Sequence, residues 1–354
     1  MAKTELLCIG NAIVDVFTRV DSAFLERFGI TQPVQHIDRD QAELILGELG
    51  GAAGAGGGRP GSAVFCSGGG AANVAKIAAM LGIGASFAGC VGQDSLAAIF
   101  EKDLTDAGAA VLLSRGTEKT GVCFILDNRG AETRIAASPG AALEFTDADV
   151  SEELIAGVDV VVLDGYALNR RPLTQRILQV ANCRGIPVAL DVASVFQVRE
   201  RAEEILHYSR NYPLLIFMNA DEAIAFFNTI KKTGGENNIS EREKELMILE
   251  DVCPMFKIIT SGEIFPIITI KLGSRGALVI AGGMVYREET FTTRPHSSVG
   301  AGDAFCAAFL SAWIRGRSLS ECAALGNKVA REILGTPGTM IKADKLKSFA
   351  KMLR

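Results

Sequence analysis

Short apolar runs recur along the chain and alternate with segments of helical periodicity. The runs show no alternation of polar and apolar residues, which is typical of strands buried on both faces of a parallel sheet. Stretches such as 171–183 separate them and predict helices. This βαβα order predicts a doubly wound α/β fold, with a mainly parallel sheet and helices on both faces. The runs predicted to be strands are 6–9, 158–163, 188–190, 214–218 and 267–272.

Nearly every predicted strand leads into a polar side chain. In open α/β sheets, ligands bind beyond the carboxyl ends of the strands, so we expect these side chains to converge on one cleft. Polar loops also begin where strands end, and the inference therefore depends on the whole series. The residues concerned are Asn11 and Asp15 after the first strand, and Asp164, Asp191, Asn219 and Lys271 at the later ones.

Two segments, 16–37 and 111–137, have the pattern of a second, smaller β structure. In the second segment, one apolar run precedes Asp127-Asn128-Arg129-Gly130 and another strand-like run follows, which predicts a β-hairpin. Together the two segments are predicted to form a small β lid over the cleft. The lid is discontinuous in sequence but belongs to one domain spanning 1–354.

Composition and charge narrow the classes of function. The chain of 354 residues has a net charge of −5 and no cluster of basic residues, which argues against nucleic acid as the main partner. It shows neither a signal peptide nor the roughly 20 apolar residues that span a bilayer, so we expect a cytoplasmic protein without a membrane partner. The eight cysteines and three histidines lack metal-ligand spacing, which favours reduced, buried thiols.

One segment combines a glycine-rich turn, an acidic residue and a buried helix. Gly300-Ala301-Gly302 precedes Asp303, and the apolar run 304–310 predicts the helix. Backbone N–H groups at a helix start have no helical partner, and with the helix dipole they form a site for an anion such as phosphate. A carboxylate beside that site can act as a general base toward a hydroxyl, which suggests phosphoryl transfer. The segment alone fits a simple N-cap equally well.

Three further segments carry weaker signals. Gly68-Gly69-Gly70-Ala71-Ala72-Asn73 precedes a predicted helix closed by Gly82; its glycines allow close approach of a ligand, and Asn73 can bond a hydroxyl. Asn219 and Glu222 suit a magnesium shell or, more simply, a helix cap. The segment from Lys271 to Gly276 can meet nucleotide phosphates or turn a hairpin. The sequence contains neither a dinucleotide fingerprint after the first strand nor a Walker A motif.

Taken together and in this order, the segments resemble the ribokinase-like, or PfkB, family of sugar and nucleoside kinases. The resemblance runs from Leu6 to about Lys342. The opening Ile9-Gly10-Asn11-Ala12-Ile13-Val14-Asp15 is closer to adenosine-kinase-like members. The motifs that carry the resemblance are Gly68 to Asn73 with Leu81-Gly82, Val91-Gly92-Gln93-Asp94, Asn219-x-x-Glu222, Lys271-Leu272-Gly273-x-x-Gly276 and Ser298-Val299-Gly300-Ala301-Gly302-Asp303-Ala304-Phe305.

The resemblance implies a ribokinase-like kinase that uses ATP and Mg²⁺ and transfers the γ-phosphate to a hydroxymethyl group of a sugar or nucleoside. It implies that Asp303 is the base, with Gly300, Ala301 and Gly302 as the anion hole. The remaining ligand contacts that it implies are Asn219 and Glu222 at Mg²⁺; Asn11, Asp15, Gly69 and Asn73 at the acceptor; and Lys271, Gly273, Gly276 and Asn327 at ATP.

Several features depart from the family pattern or leave the function open. Ser297 stands where members often carry an aspartate associated with a monovalent cation, so we expect only a weak dependence on potassium. Gly70 replaces a lysine typical of ribokinases, so the sequence indicates ribose itself less strongly as the acceptor. The alternatives are a non-catalytic sugar- or nucleoside-binding member and a nucleotide-dependent oxidoreductase. The sequence does not rank the acceptors. It also leaves open the role of the charged insertion 229–250 and the oligomeric state, although an exposed lid edge is a plausible homodimer surface.

Overall fold

The computed structural model describes residues 3–50, 63–128, 132–233, 240–262, 264, 266–290, 300–334 and 343–353. In chain order, the strands are β1 (Leu6–Ile9), β2 (Ile13–Arg19), β3 (Val34–His36), β4 (Val64–Gly68), β5 (Ala85–Val91), β6 (Ala110–Arg115), β7 (Thr120–Asp127), β8 (Thr133–Gly140), β9 (Val160–Asp164), β10 (Val188–Asp191), β11 (Leu214–Asn219), β12 (Ile267–Lys271), β13 (Ala277–Ala281) and β14 (Met284–Glu288). The helices are α1 (Ser22–Arg27), α2 (Arg39–Glu48), α3 (Gly70–Met80), α4 (Ser95–Asp106), α5 (Glu152–Ile155), α6 (Arg171–Cys183), α7 (Val195–Asn211), α8 (Ala220–Lys231), α9 (Glu241–Met247), α10 (Cys253–Thr260), α11 (Ala301–Ile314), α12 (Leu319–Ile333) and α13 (Ala343–Ala350).

Within the described residues, nine strands form one large sheet in the order β14-β13-β12-β11-β10-β9-β1-β5-β6. The strands from β12 to β6 in this order pair in parallel, and only β13 and β14 run antiparallel to their neighbours. The prediction of a doubly wound, mainly parallel α/β fold is confirmed. The five runs predicted from sequence correspond to β1, β9, β10, β11 and β12, with ends shifted by at most two residues.

The large sheet has an apolar core on each face. Successive residues of a strand point to opposite faces, so Leu6 and Cys8 of β1 pack in one core and Leu7 and Ile9 in the other. Helices α3, α4, α11 and α12 contribute to the first core, and α6, α7, α8 and α10 contribute to the second. Because helices cover both faces, these strands have no polar face, and their sequences show no alternation.

A second sheet of five strands has the order β3-β8-β7-β2-β4. Strands β7 and β8 pair antiparallel, which confirms the predicted hairpin. The predicted lid boundaries need two corrections. Strand β6, placed in the lid segment 111–137, pairs with β5 at the edge of the large sheet, whereas β4 pairs with β2 and was not predicted to join the lid. Strand β6 is partly exposed, as an edge strand is, and sequence alone does not separate that pattern from a sheet covered on one face. That the small sheet acts as a lid stays a prediction.

Other features of the sequence fall partly or wholly outside the described residues. Ser297 lies outside them, as do residues 129–131 of the hairpin turn and residues 234–239 of the insertion. The described part of the insertion includes α9, whose Lys244 pairs with Asp221 of α8 at 2.7 Å. Within the part of the chain that the structure describes, no helix is both long and apolar enough to cross a membrane.

Candidate active site

The polar strand-end residues meet at one edge of the large sheet. Asp164 of β9 and Asp191 of β10 are paired neighbours, and Asn219 of β11 is paired with Lys271 of β12. This edge opens into a cleft of about 270 Å³. The geometry therefore brings together four of the six side chains that the strand pattern singled out, whereas Asn11 is not part of the described lining and Asp15 lies within β2 of the small sheet. The polar and glycine residues of the lining are Gly70, Asp164, Tyr166, Asp191, Asn219, Glu222, Lys271, Gly302 and Asp303.

The first turn of α11 lies at the cleft, and its first backbone N–H groups have no acceptor within the helix. Gly300 caps the helix in a left-handed conformation with φ of 80°, which glycine adopts without strain. The first bond of the helical pattern runs from Ala304 N to Gly300 O, so the preceding N–H groups have no helical acceptor. Positions 304–310 are buried, as predicted for this helix. The first turn is suited to bind an anion, while its role as the anion hole stays a prediction.

Asp303 is half-buried beside this helix start. Its Oδ2 accepts a hydrogen bond of 2.8 Å from Asn73 Nδ2, which joins α11 to the first turn of α3. Burial raises the pKa of Asp303 to about 7, and the negative charges of Asp191 and Asp164 act in the same direction. Asn73 and Lys271 oppose this shift. The carboxyl group therefore changes its charge near neutral pH, which suits a general base.

Asn219 and Glu222 form a reciprocal cap at the start of α8. Asn219 N donates to Glu222 Oε2 at 2.7 Å, and Glu222 N donates to Asn219 Oδ1 at 2.9 Å. Glu222 is buried, and burial together with the charge of Asp191 raises its pKa to about 7, against the opposing effect of Lys271. The helix cap that the sequence allowed is thus present. Both residues also line the cleft, and their binding of Mg²⁺ stays a prediction.

Lys271 forms an ion pair with Asp191 across the floor of the cleft. Its Nζ lies 2.6 Å from Asp191 Oδ2, and both side chains are 15% exposed. Burial alone would lower the pKa of Lys271, but Asp191 and Glu222 raise it above its usual value, so the side chain is a permanent cation. Asp191 Oδ1 also accepts from the N–H of Ala193, which has the unusual φ of 69° for a residue with a side chain.

The predicted acceptor residues lie where the small sheet joins the large one. Gly69 has φ of 89°, and a Cβ there would stand 2.4 Å from the backbone oxygen of Asn11. Asn11 Oδ1 accepts a bond of 2.8 Å from Arg170 Nη2. Burial and the charge of Asp303 raise the pKa of Asp15 to about 7. Contacts or electrostatic coupling therefore link Asn11 to Gly69, Asp15 to Asp303, and Asn73 to Asp303, while binding of an acceptor by these residues stays a prediction.

The predicted nucleotide residues divide into two groups. Lys271 lines the cleft, whereas Gly273, Gly276 and Asn327 lie outside the described lining. A Cβ on Gly276 would stand 2.0 Å from the backbone oxygen of Glu288, and Asn327 Nδ2 donates to the same oxygen at 3.2 Å. Gly273 has φ of 60° in the turn after β12. Turn geometry and packing account for these residues structurally, and their contact with ATP stays a prediction.

Some residues of the site had only a weak signal in the sequence, or none. Asp164 and Asp191 were identified as strand ends but given no role. Tyr166 and Arg170 were not singled out, although Tyr166 lines the cleft and Arg170 holds Asn11. Arg170 also donates to the backbone oxygens of Ala142 and Phe145. These partners are 159, 28 and 25 residues distant in sequence, so no local pattern could have identified the role of Arg170.

The charges of the cleft fit a phosphate ligand accompanied by a divalent cation. Four carboxyl groups and one lysine line the described part of the cleft: Asp164, Asp191, Glu222, Asp303 and Lys271. A polyphosphate beside so many carboxylates needs a cation to offset the repulsion, and Mg²⁺ prefers oxygen ligands. Among the described residues, no three His, Cys, Asp or Glu side chains form a metal-binding group. Mg²⁺ fits this arrangement because it usually keeps several waters and takes only one or two protein carboxylates.

Comparison with known proteins identifies the family. The model of the pfkB family carbohydrate kinases matches residues 37–346. The adenosine kinase of Dictyostelium discoideum is 22% identical, with 98% of this chain and 99% of that protein covered. The 5-dehydro-2-deoxygluconokinase of Bacillus subtilis (strain 168) is also 22% identical, with coverage of 74% and 79%. The crystal structure of adenosine kinase from Sinorhizobium meliloti matches with a TM-score of 0.80 and 26% identity over 100% of both chains.

These matches confirm the PfkB resemblance and the similarity to adenosine kinases, and they exclude the oxidoreductase alternative. The similarity to the Sinorhizobium meliloti structure extends over the whole chain, including both sheets. The chain belongs to the pfkB family of carbohydrate kinases and is a phosphotransferase that acts on a hydroxyl group.

Proposed function

We propose that the protein transfers the γ-phosphate of ATP to the hydroxymethyl group of a nucleoside, with Asp303 as the general base. The observation that carries this proposal is the position of Asp303 in the first turn of α11, where it lines the cleft beside backbone donors that have no acceptor within the helix. A base and an anion site that are adjacent can bring a hydroxyl and a phosphate together in one reaction geometry.

The contacts of Asp303 support Oδ1 as the oxygen that receives the proton. Oδ2 is occupied by the bond from Asn73. Oδ1 faces Gly70, and a Cβ at that position would lie 3.5 Å from Oδ1. Because glycine has no side chain, this space is open to a hydroxyl group of the phosphate acceptor. In the proposed step, Oδ1 takes the hydroxyl proton, the hydroxyl oxygen bonds to the γ-phosphorus, and the bond from that phosphorus to ADP breaks.

The charge on the transferred phosphoryl group requires fixed donors. The N–H groups at the start of α11 supply them, and Gly302 places this turn close to Lys271, whose Nζ would lie 3.2 Å from a Cβ at that position. Asn219 and Glu222 are the residues that would hold Mg²⁺, directly or through water. Bound Mg²⁺ would offset the negative charge of the phosphates and of the surrounding carboxylates.

Two lines of support favour a nucleoside over a simple sugar as the acceptor. The Dictyostelium discoideum adenosine kinase aligns over nearly its whole length, whereas the Bacillus subtilis 5-dehydro-2-deoxygluconokinase aligns over 79% of its length. The solved structure with 26% identity over both complete chains is also an adenosine kinase. A sugar acceptor remains the second candidate because the deoxygluconokinases are relatives as well.

An acceptor screen tests the proposal. ADP release from Mg²⁺·ATP would be measured with adenosine, inosine, guanosine, ribose, fructose and a deoxygluconate as separate acceptors, with product identity checked by mass spectrometry. We expect the highest kcat/KM with a nucleoside and phosphate on its 5′-hydroxymethyl group. A 5′-deoxynucleoside is the matched control because it lacks the reacting hydroxyl. Faster transfer to a free sugar than to every nucleoside would contradict the proposed acceptor, and transfer to none would contradict the proposed function.

A further inference from the structure

A lysine that no sequence motif singled out is buried next to the predicted acceptor site. Lys76 follows Asn73 by one turn of α3 and is 5% exposed. Its Nζ donates to Asp103 Oδ2 of α4 at 2.5 Å. Burial tends to raise the pKa of Asp103, but the charge of Lys76 and its hydrogen bond lower it below the usual value. The two groups are therefore an ion pair, as the high cost of burying a lone ammonium group requires.

Asp103 also fixes the strand that supports Asp15. The backbone N–H and the hydroxyl of Ser67 both donate to Asp103 Oδ2, at 2.8 and 2.6 Å. The next residue, Gly68, packs directly on the Asp15 side chain, because a Cβ there would stand only 2.1 Å from Asp15 Cγ. The Lys76–Asp103 pair thus anchors β4 of the small sheet to two helices of the large one, at the position where Asp15 is held.

The charge of Lys76 also acts on Asp15 itself. Lys76 lowers the pKa of Asp15 and of the adjacent Cys66 thiol. The other influences on Asp15 are burial and the negative charge of Asp303, and both disfavour its ionised form. Among the described residues, Lys76 therefore supplies the positive charge that favours ionisation of Asp15. The titratable groups facing Asp15 are Asp303 from α11, Lys76 from α3, Cys66 from β4 and Cys123 from β7.

We propose that Lys76 is a positioning residue for the phosphate acceptor: held by Asp103, its ammonium group favours the charged form of Asp15, whose carboxylate can then accept hydrogen bonds from hydroxyl groups of the phosphate acceptor. The inference rests on the proposed function and on the role that the family resemblance implies for Asp15, which is to bind the phosphate acceptor. A hydrogen bond to an ionised carboxylate is roughly twice as strong as one to a neutral carboxyl group. Stability alone is a weak reason for the pair, because apolar residues often replace buried ion pairs without loss.

Two variants separate this role from a structural one. Lys76→Met removes the positive charge beside Asp15, whereas Asp103→Asn breaks the same ion pair but leaves that charge in place. The Kd of adenosine, or of the acceptor that the screen identifies, would be measured calorimetrically without ATP from pH 6 to pH 9. The KM values for acceptor and ATP would be measured over the same range.

We expect Lys76→Met to move the pH midpoint of acceptor binding upward by about one unit or more, because a neighbouring opposite charge is worth about 1–3 units. Acceptor affinity at pH 7.5 should fall by about 3- to 10-fold, since less of Asp15 is then ionised, while the KM for ATP changes by less than about twofold. Asp103→Asn should lower thermal stability without raising the midpoint.

Equal midpoints in wild type and Lys76→Met would overturn the inference, and so would the same upward shift in Asp103→Asn. If Lys76→Met does not fold, the double variant Lys76→Met/Asp103→Asn gives the same readout, because no charge of the pair is then left unpaired. Failure of the proposed function is distinguishable. A wild-type protein that phosphorylates no acceptor refutes the function, whereas an active kinase whose variants keep the wild-type profile refutes only the role of Lys76.

Discussion

The substitution Asp303→Asn is expected to abolish turnover and at the same time to stabilise the fold. The amide keeps an oxygen that can accept from Asn73, so the contact between α3 and α11 is retained while the charge and the base are lost. Loss of a positioned base costs about 10²- to 10⁴-fold in kcat. The gain in stability follows from the pKa, because the native protein holds the ionised carboxylate in an unfavourable setting.

The sign and size of this gain depend on pH. Asp303 has a pKa of about 7 in the folded protein, against about 3.9 in an unfolded chain. The stability that this group contributes is therefore complete below about pH 4 and is lost as the pH rises through about 7. Between pH 5 and pH 7 the loss is at most about 2.7 kcal/mol, at about 1.36 kcal/mol per pH unit. Solvent in the cleft screens part of it, which leaves about 1–2 kcal/mol.

Thermal unfolding measures this difference directly. For a chain of 354 residues, an unfolding entropy of about 2.1 cal/mol/K per residue converts 1–2 kcal/mol into about 1–3 °C of Tm. The Tm of Asp303→Asn should therefore exceed that of wild type by about 1–3 °C more at pH 8 than at pH 5. Calorimetry without nucleotide or acceptor measures this difference. Asp40→Asn, which removes a charge from the exposed surface of α2, is the matched control and should leave the pH dependence unchanged. A constant difference between pH 5 and pH 8, or a variant less stable than wild type at pH 8, would refute the reasoning.

Three further predictions address the metal, the small sheet and the monovalent cation. Glu222→Gln should raise the Mg²⁺ concentration for half-maximal rate by about tenfold with little change in acceptor KM, because glutamine preserves the helix cap but removes the charge. An unchanged Mg²⁺ titration would show that Glu222 acts only as a helix cap. Acceptor binding should increase amide hydrogen-exchange protection in β2, β7 and β8 more than in β9 and β10, and equal protection with and without acceptor would argue against a lid. The wild-type rates in K⁺ and in a bulky organic cation at matched ionic strength should be similar, because Ser297 lacks the negative charge that offsets dehydration of a cation. Ser297→Asp should increase the rate in K⁺. Strong K⁺ activation of the wild type would contradict this prediction.

The site depends both on contacts between residues that are close in sequence and on contacts between residues that are far apart in sequence. The cap of α8 and the start of α11 are local, since each depends on residues within a few positions of one another. The ion pair of Lys271 with Asp191 and the bond of Asn73 to Asp303 are not local, since they join residues 80 and 230 positions apart. The proposed chemistry needs both, because local turns supply the donors and distant contacts set the charge of the base.

The sequence by itself determined five strands of the large sheet, the start of α11 and the edge of the sheet at which the polar side chains meet. Unbroken apolar runs at β1, β9, β10, β11 and β12 are sufficient to predict a covered parallel sheet, because burial on both faces leaves no polar positions. The Gly300–Asp303 turn likewise predicts a helix start from its own residues. Parallel strands align their carboxyl ends, so the convergence of Asp164, Asp191, Asn219 and Lys271 followed from connectivity alone.

Only the tertiary structure decided which charges pair within that cleft and which strands belong to which sheet. The sequence did not indicate that Lys271 binds Asp191, that Lys76 binds Asp103, or that Arg170 holds Asn11. It also misassigned β6, whose half-exposed pattern fits the edge of either sheet. The physical reason is range: hydrophobic periodicity and turn chemistry are encoded by neighbouring residues, whereas ion pairing and pKa depend on packing between segments that the chain brings together only when it folds.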